Sequence, residues 1–210
     1  MTIYFLRHGE TDYNATARMQ GQVDIPLNEK GLMQARMAAR YFKARGIHFD
    51  KVYTSPLVRA MQTAITISGL EDEVLIDERL IELGFGVVEG CDFHAIPEVH
   101  RNFILDPPAY VPAEGGESLQ HLFDRCEDFL NYLAGRPEAE TKINILVSTH
   151  GAAIRGFLKI IGNQPLEKYW VRGIENCGCF RIGFDRGTYQ LEEVIHTLPE
   201  NAHMHGWQNG

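Results

Sequence analysis

The sequence is short of positive charge and has no long apolar run. It carries 20 Lys and Arg against 28 Asp and Glu, a formal net charge of −8. Because no basic stretch stands out, the charge pattern of a nucleic-acid-binding protein is missing. No apolar run approaches the roughly 20 residues that cross a membrane, and the apolar residues before Arg7 are too few for a signal peptide. We therefore expect a cytoplasmic protein that binds neither nucleic acid nor a membrane.

Cysteine is also scarce, and only two of the four cysteines, Cys177 and Cys179, lie close together. A C-x-C spacing alone is a weak signal for a metal site or a disulfide, so free thiols are expected. An alternative is a metal site formed by this pair with three histidines near the C-terminus, His196, His203 and His205. The polar, glycine-ending tail around them favours a solvated segment. The sequence leaves open whether that tail packs over another part of the protein.

Hydrophobic periodicity predicts alternating strands and helices. The predicted strands are Ile3 to Leu6, Lys51 to Thr54, Val74 to Ile76 and Ile143 to Val147, with a terminal hairpin of Phe180 to Phe184 and Tyr189 to Val194. The predicted helices run from Asn28 to Gly46, Ser55 to Ser68, Ser118 to Leu133 and Ala152 to Ile161. Strands that alternate with helices favour an α/β fold. We expect a single domain over residues 1–210, a three-layer α/β/α sandwich with a mostly parallel central sheet.

Residues 90–117 interrupt this alternation. Four of the chain's nine prolines fall there, at Pro97, Pro107, Pro108 and Pro112, with apolar residues scattered between them. Long irregular insertions in compact domains are often functional. We therefore interpret the segment as an inserted cap over a binding site. The alternative is a surface excursion that contacts no site.

Two histidines follow predicted strands in the same way. His8, between Arg7 and Gly9, comes after the first strand, and His150, before Gly151, comes after the strand Ile143 to Val147. The carboxyl ends of parallel strands share one edge of the sheet, where ligands bind. Glycine lets the backbone approach a ligand closely, and helix N-termini at that edge attract anions. The two histidines are therefore predicted to meet at one anion site.

Three charged residues are predicted to join them. Arg59 follows the strand Lys51 to Thr54, and with Arg7 it offers guanidinium forks suited to phosphate oxygens. Glu82 follows the third strand and is a candidate proton donor for a leaving alkoxide. Each residue alone is more often a surface group. Their common placement after aligned strands is what indicates a site.

The sequence around these residues resembles the motifs of the histidine phosphatase superfamily, the phosphoglycerate mutase-like fold. The resemblance runs in order from residue 3 to about residue 160. Its blocks are Leu6 to Thr11 with Asn14, then Arg18, Gln20, Gly21, Asp24, Pro26, Leu27 and Gly31, then Thr54 to Leu57 with Arg59, Ala60, Thr63 and Ala64, then Glu82 with Phe85, Gly86, Glu89 and Gly90, then Gly115 to Ser118, and finally Val147 to Gly151.

The resemblance implies a role for each residue. His8 would be the nucleophile that forms phosphohistidine, and Glu82 would be the general acid and base. The residues that would bind the phosphoryl group or the substrate are Arg7, Asn14, Gln20, Gly21, Arg59, His150 and Gly151. Enzymes of this family need no metal and no cofactor, because arginines and a histidine supply the charge stabilisation. Ser55 is expected to orient His8 or, alternatively, to cap the following helix.

The resemblance covers phosphatases and phosphoglycerate mutases. Mutases carry an Arg and a Tyr shortly after the acid/base Glu, where this sequence has Leu83 and Phe85. The predicted cap also has only one Arg or Lys, Arg101, so it is poorly equipped for a second anion. These features favour a metal-independent phosphatase acting on a small phosphate ester with a neutral or partly apolar leaving group, similar to broad-specificity phosphatases or α-ribazole phosphatase. A cofactor-dependent phosphoglycerate mutase and a non-catalytic phospho-ligand-binding module are the alternatives. A homodimer is left open.

Overall fold

The computed structural model describes residues 1–170 and 173–199. Its centre is a six-stranded sheet in the order β3-β2-β4-β1-β5-β6. The strands are β1 (Thr2–Arg7), β2 (Lys51–Thr54), β3 (Val74–Ile76), β4 (Asn144–Thr149), β5 (Cys179–Asp185) and β6 (Thr188–Ile195). The first four are mutually parallel, and β5 and β6 are antiparallel additions beside β1. The predicted mostly parallel sheet and its terminal hairpin are confirmed.

Six α-helices accompany the sheet in the described part of the chain. They are α1 (Asp12–Ala15), α2 (Glu29–Ala44), α3 (Val58–Ser68), α4 (Glu98–Leu105), α5 (Leu119–Ala134) and α6 (Gly151–Ile161). None of the described helices combines the length and the apolar composition needed to cross a bilayer. Short 3₁₀ turns connect several of these elements.

Alternate residues of β1 face two separate cores, which is the signature of a three-layer sandwich. Phe5 stacks on Phe157 of α6 with ring centroids 4.4 Å apart. Its neighbour Tyr4 points to the other side of the sheet and meets Phe42 of α2 edge to face at 5.8 Å. Helices α5 and α6 thus cover one face, and α2 and α3 cover the other. The predicted layer arrangement is confirmed.

The start of α3 differs from the prediction. The helix begins at Val58 and not at Ser55, so Pro56 precedes the first turn. Ser55 continues the sheet pairing, because its N–H donates to the carbonyl of Ser148 at 3.0 Å. The N–H of Val58 is satisfied by the carboxylate of Asp24 at 2.7 Å. A side chain distant in the sequence therefore caps the helix, which local sequence patterns do not reveal.

The proline-rich segment 90–117 is folded and packs on the main body. It contains α4, and its side chains Phe93, Ile96 and Phe103 are buried in the same core as α5 and α6. The Phe103 ring lies 4.7 Å from that of Phe85 and 5.4 Å from that of Trp170. Aromatic contacts thus hold the segment against the body. That it acts as a cap within a single domain over residues 1–210 stays a prediction.

Candidate active site

Two buried histidines stand side by side where β1 and β4 end. In the parallel pairing of these strands, Arg7 is opposite Thr149, so His8 and His150 emerge together at the carboxyl edge. The N–H of His8 extends the pairing by donating to the carbonyl of Thr149 at 3.0 Å. The imidazole centroids are 5.2 Å apart, and the two residues are 1% and 0% exposed. The sheet topology therefore brings together two residues that are far apart in the sequence.

The tautomer of His8 is set by the backbone. Its Nδ1 lies 2.6 Å from the carbonyl oxygen of Gly9. A carbonyl can only accept, so Nδ1 carries the proton and Nε2 keeps a free lone pair. Burial, followed by the charges of Arg59 and Arg7, lowers the pKa of His8 well below its ordinary value of 6.5. At neutral pH, His8 thus presents an unprotonated nitrogen among positive charges.

His150 is held differently. Its Nε2 lies 2.7 Å from Oγ of Ser55, while its Nδ1 has no hydrogen-bond partner within residues 1–170 and 173–199. Burial and then Arg59 lower its pKa well below the ordinary value. Ser55 therefore contacts His150 and not His8, contrary to the expectation from the sequence, and it is not the N-cap of α3.

Two guanidinium groups flank the histidines. Arg59, completely buried on α3, donates from Nη1 to the carbonyl of Val23 and from Nη2 to that of Gly21, each at 2.7 Å. Nη1 of Arg7 donates to the carbonyl of Ile174. In both arginines Nε is buried and has no partner in the described residues. Burial lowers both pKa values, that of Arg59 to about 10, so both groups are cationic at neutral pH.

The segment after β1, which includes α1, holds two further predicted residues. The hydroxyl of Thr11 contacts the amide oxygens of both Asn14 and Gln20, and the N–H of Thr11 donates to Asn14 Oδ1 at 3.2 Å. Nδ2 of Asn176 donates to the carbonyl of His8 at 3.0 Å and lies 3.4 Å from Asn14 Oδ1. Asn176 was not predicted from the sequence, because its contact depends on how the chain returns from β4 to β5.

Glu82 lies at the amino end of α6. Its Oε2 accepts from the N–H of Ala152 at 3.2 Å, and its Oε1 accepts from Ala153 at 3.1 Å and from Leu83 at 2.9 Å. A Cβ placed on Gly151 would lie 3.9 Å from Glu82 Oε2 and 3.8 Å from Arg7 Nε. The first residue of α6 thus faces both the carboxylate and the guanidinium.

A buried ion pair that the sequence did not reveal positions this carboxylate. Arg125 of α5 donates from Nε and Nη2 to the two oxygens of Glu117, at 2.7 and 3.0 Å. Its Nη1 also donates to the carbonyl of Ile81 at 2.5 Å. Glu117 in turn accepts from the N–H of Gly84 at 3.2 Å. The pair therefore fixes the backbone on either side of Glu82.

The described residues offer no metal centre. No group of three or more His, Cys, Asp or Glu side chains that could hold an ion occurs within residues 1–170 and 173–199. Cys177 and Cys179 are buried free thiols, and burial raises their pKa values. Nδ1 of His196 lies 2.6 Å from a carboxylate oxygen of Glu175. His203 and His205, which the alternative metal site needs, lie outside the described residues.

The geometry defines a class of site. A neutral imidazole nitrogen, two buried guanidinium groups and a carboxylate converge where parallel strands end, which suits attack on a phosphoryl group. The class is a phosphoryl-transfer site that works through histidine. The chain belongs to the histidine phosphatase superfamily (branch 1), whose family model matches residues 3–197.

The relatives include proteins named as phosphatases and proteins named as phosphoglycerate mutases. A putative phosphoserine phosphatase 2 from Hydrogenobacter thermophilus is 32% identical over 202 residues, covering 93% of this chain and 97% of the relative. A probable phosphoglycerate mutase GpmB from Cronobacter sakazakii is 30% identical over 211 residues, covering 97% and 95%.

Solved structures have the same fold. The phosphoserine phosphatase of Entamoeba histolytica, crystallised as a mutant with phosphoserine, is 27% identical with a TM-score of 0.80, covering 93% of this chain and 97% of that one. A putative α-ribazole-5'-P phosphatase of Escherichia coli is 26% identical with a TM-score of 0.78, covering 94% and 97%.

Proposed function

We propose that the protein is a phosphatase that hydrolyses small phosphate monoesters through a phosphohistidine on Nε2 of His8. The observation that carries the proposal is the state of this imidazole. Nδ1 donates to the carbonyl of Gly9, and burial beside Arg59 and Arg7 keeps the ring neutral. A neutral ring with a fixed tautomer is what a nitrogen nucleophile requires.

The first half of the proposed reaction forms the phosphohistidine. Nε2 of His8 attacks phosphorus, the bond from phosphorus to the ester oxygen breaks, and the leaving oxygen takes a proton from Glu82. Arg7 and Arg59 neutralise the charge on the three remaining oxygens, which is the main demand of phosphoryl transfer. The hydrogen bond from Nδ1 to Gly9 stabilises the positive charge that develops on the phosphorylated imidazole.

The second half reverses these roles. Water attacks phosphorus and loses a proton to Glu82, the bond from phosphorus to Nε2 breaks, and His8 returns to its neutral form. Inorganic phosphate leaves. No step needs a metal, because Arg7 and Arg59 supply the positive charge. His150 donates a hydrogen bond to a phosphoryl oxygen if its proton is on Nδ1, the nitrogen without a described partner.

The names of the relatives support a small phosphorylated metabolite as the substrate. The alternative that the GpmB relative favours is a phosphoglycerate mutase. Against it, Leu83 and Phe85 occupy the places where mutases carry an Arg and a Tyr, and both are core residues, 0% and 5% exposed. Core residues cannot hold a substrate carboxylate. Incubation with 3-phosphoglycerate and 2,3-bisphosphoglycerate separates the two, since a mutase isomerises faster than it releases phosphate.

The direct test is hydrolysis of p-nitrophenyl phosphate in EDTA by the wild type and by His8→Ala. We expect metal-independent turnover that disappears in the variant, and wild-type enzyme that is stopped with alkali and detergent should carry base-stable, acid-labile phosphate. Activity that survives His8→Ala contradicts the proposal. If neither this ester nor any ester in a phosphometabolite panel is hydrolysed, the result favours the alternative of a non-catalytic phospho-ligand-binding module. Homodimer formation and a cytoplasmic location stay predictions.

A further inference from the structure

One buried arginine has no part in the phosphoryl site. Arg155, in the second turn of α6, is 7% exposed. Its Nε and Nη2 have no hydrogen-bond partner in the part of the chain that the structure describes. Buried N–H groups of a charged side chain are costly to leave unpaired, and native proteins rarely do so without a functional reason. The guanidinium therefore requires an acceptor from elsewhere.

The position of Arg155 shows where that acceptor binds. Residues four apart share one face of a helix, and Arg155 is four residues beyond Gly151. A Cβ on Gly151 would lie within 4 Å of both Arg7 Nε and Glu82 Oε2. Arg155 therefore occupies the same helix face as the catalytic groups, one turn away from them. Burial lowers its pKa to about 10, which leaves it cationic at neutral pH.

The other side of Arg155 faces the proline-rich segment. The guanidinium carbon lies 4.1 Å from the centroid of the Trp170 ring, and that ring meets Phe103 of α4 edge to face. Stacking fixes the plane of the guanidinium and leaves its edges to donate in that plane. Arg155 thus stands between the phosphoryl site and the segment expected to cover the rest of the substrate.

We propose that Arg155 binds a carboxylate carried by the leaving group, so that the preferred substrates are phosphate monoesters of small hydroxy acids. Nε–H and one Nη2–H point in parallel from the same edge of the guanidinium, and two carboxylate oxygens match that spacing. This inference rests on the proposed function and names its substrate class. It replaces the neutral leaving group expected from the sequence, because the second cation comes from α6 and not from the cap.

Matched esters test the proposal. Phosphoserine and phosphoethanolamine differ only by the carboxylate. In the second pair, the carboxylate of 3-phosphoglycerate is replaced by a hydroxymethyl group in glycerol 3-phosphate. We expect the wild type to favour the carboxylate member of each pair in kcat/KM by about 10- to 100-fold, the size of a charge-assisted hydrogen-bonded contact. In Arg155→Met the ratio should fall to near one, mostly through KM. The ratio is informative whatever the change does to the common phosphoryl step.

Two more variants complete the experiment. Arg155→Lys keeps the charge but loses the fork, so its ratio should fall well below that of the wild type. Lys159→Met removes a cation from the next turn of α6, where Nζ lies 5.0 Å from the Phe123 ring centroid, and should keep the wild-type ratio. A thermal melt checks that each variant is folded. If Arg155→Met does not fold, the test is made with Arg155→Lys alone.

The outcomes separate this inference from the proposed function. A wild type that hydrolyses both members of each pair equally overturns the role of Arg155 and leaves the phosphatase in place. So does a carboxylate preference that persists in Arg155→Lys and Arg155→Met. A wild type that hydrolyses none of the four esters, nor p-nitrophenyl phosphate, contradicts the phosphatase itself.

Discussion

The carboxylate of Glu82 accepts a hydrogen bond of 3.1 Å from the backbone N–H of Ala153, in the first turn of α6. The first N–H groups of a helix have no partner within the helix. Glu82 satisfies two of them, because it also accepts from Ala152. The residue proposed as acid and base thus caps the helix that follows His150, and its replacement should affect both catalysis and stability.

Replacement of Glu82 by Gln should depend on the leaving group. The amide cannot protonate a leaving alkoxide, so kcat for a serine or glycerol phosphate should fall by about 100- to 10,000-fold. The loss for p-nitrophenyl phosphate should be much smaller, because nitrophenolate leaves without a proton. Steady-state kinetics on both esters check this, with the exposed Glu78→Gln as control. Equal losses on both esters would remove Glu82 from the acid role.

The buried histidines predict how stability depends on pH. The pKa values of His8 and His150 lie well below 6.5 in the folded protein, so the unfolded chain binds more protons as the pH falls below about 6.5. The free energy of unfolding then decreases, by up to about 1.4 kcal/mol per pH unit for each histidine. Urea titrations from pH 7.5 to 5 measure the slope.

A comparison of variants shows which histidine causes this dependence of the unfolding free energy on pH. His8→Asn should lose part of it, whereas replacement of the exposed His48 by Asn should not. Activity at pH 6 should persist for the same reason, since the nucleophile is still neutral there. If the slope in His8→Asn equals that of the wild type, His8 does not have a depressed pKa.

The ion pair of Arg125 and Glu117 should matter for stability and for kcat. Removing one partner of a buried pair typically costs about 3–5 kcal/mol, because the other charge is left unpaired. Arg125→Met leaves Glu117 with the exposed His121 as its ionic partner, so it should cost up to that much, and the double variant with Glu117→Gln should cost less than the sum of the single variants. Urea unfolding gives the coupling energy. Arg181→Met, which breaks an exposed pair with Glu192, should cost at most about 1 kcal/mol.

The loop that carries His8 packs tightly against α2. A Cβ on Gly31 would lie 2.0 Å from the carbonyl oxygen of Glu10, so Gly31→Ala must move the backbone next to Gly9. We expect a loss of at least about 1–3 kcal/mol, the usual cost of overpacking, together with a lower kcat. Gly135→Ala is the matched control, since its nearest contact is 3.5 Å and its φ is −79°. Equal melting temperatures would contradict the close packing.

Much of the fold was predictable because the signals were local. Apolar runs identified β2 and β3 with their observed ends, and one apolar stripe identified α5. The start of α3 was wrong because Asp24 caps it from a distance. Helix α4 was missed because prolines flank it closely and it spans only Glu98–Leu105. In each case the deciding contact or interruption lay outside the periodic pattern.

The site was predictable to the extent that it follows strand ends. His8 and His150 were expected to meet because parallel strands align their carboxyl ends. Arg125 and Arg155 were not recognised, because in sequence each looks like an ordinary exposed cation of an amphipathic helix. Arg125 matters because it is paired with Glu117, and Arg155 matters because its buried Nε and Nη2 have no partner among the described residues. Only the packed structure provides that information.

The position of β1 has a consequence for synthesis of the protein. This strand lies between β4 and β5, both of which come late in the chain. A ribosome-bound chain that ends before Asn144 has neither neighbour for its first apolar strand. It also lacks His150 and the helix that Glu82 caps. The phosphoryl site can therefore form only after β4 and the start of α6 have been synthesised, and until then the first strand is an unpaired apolar segment.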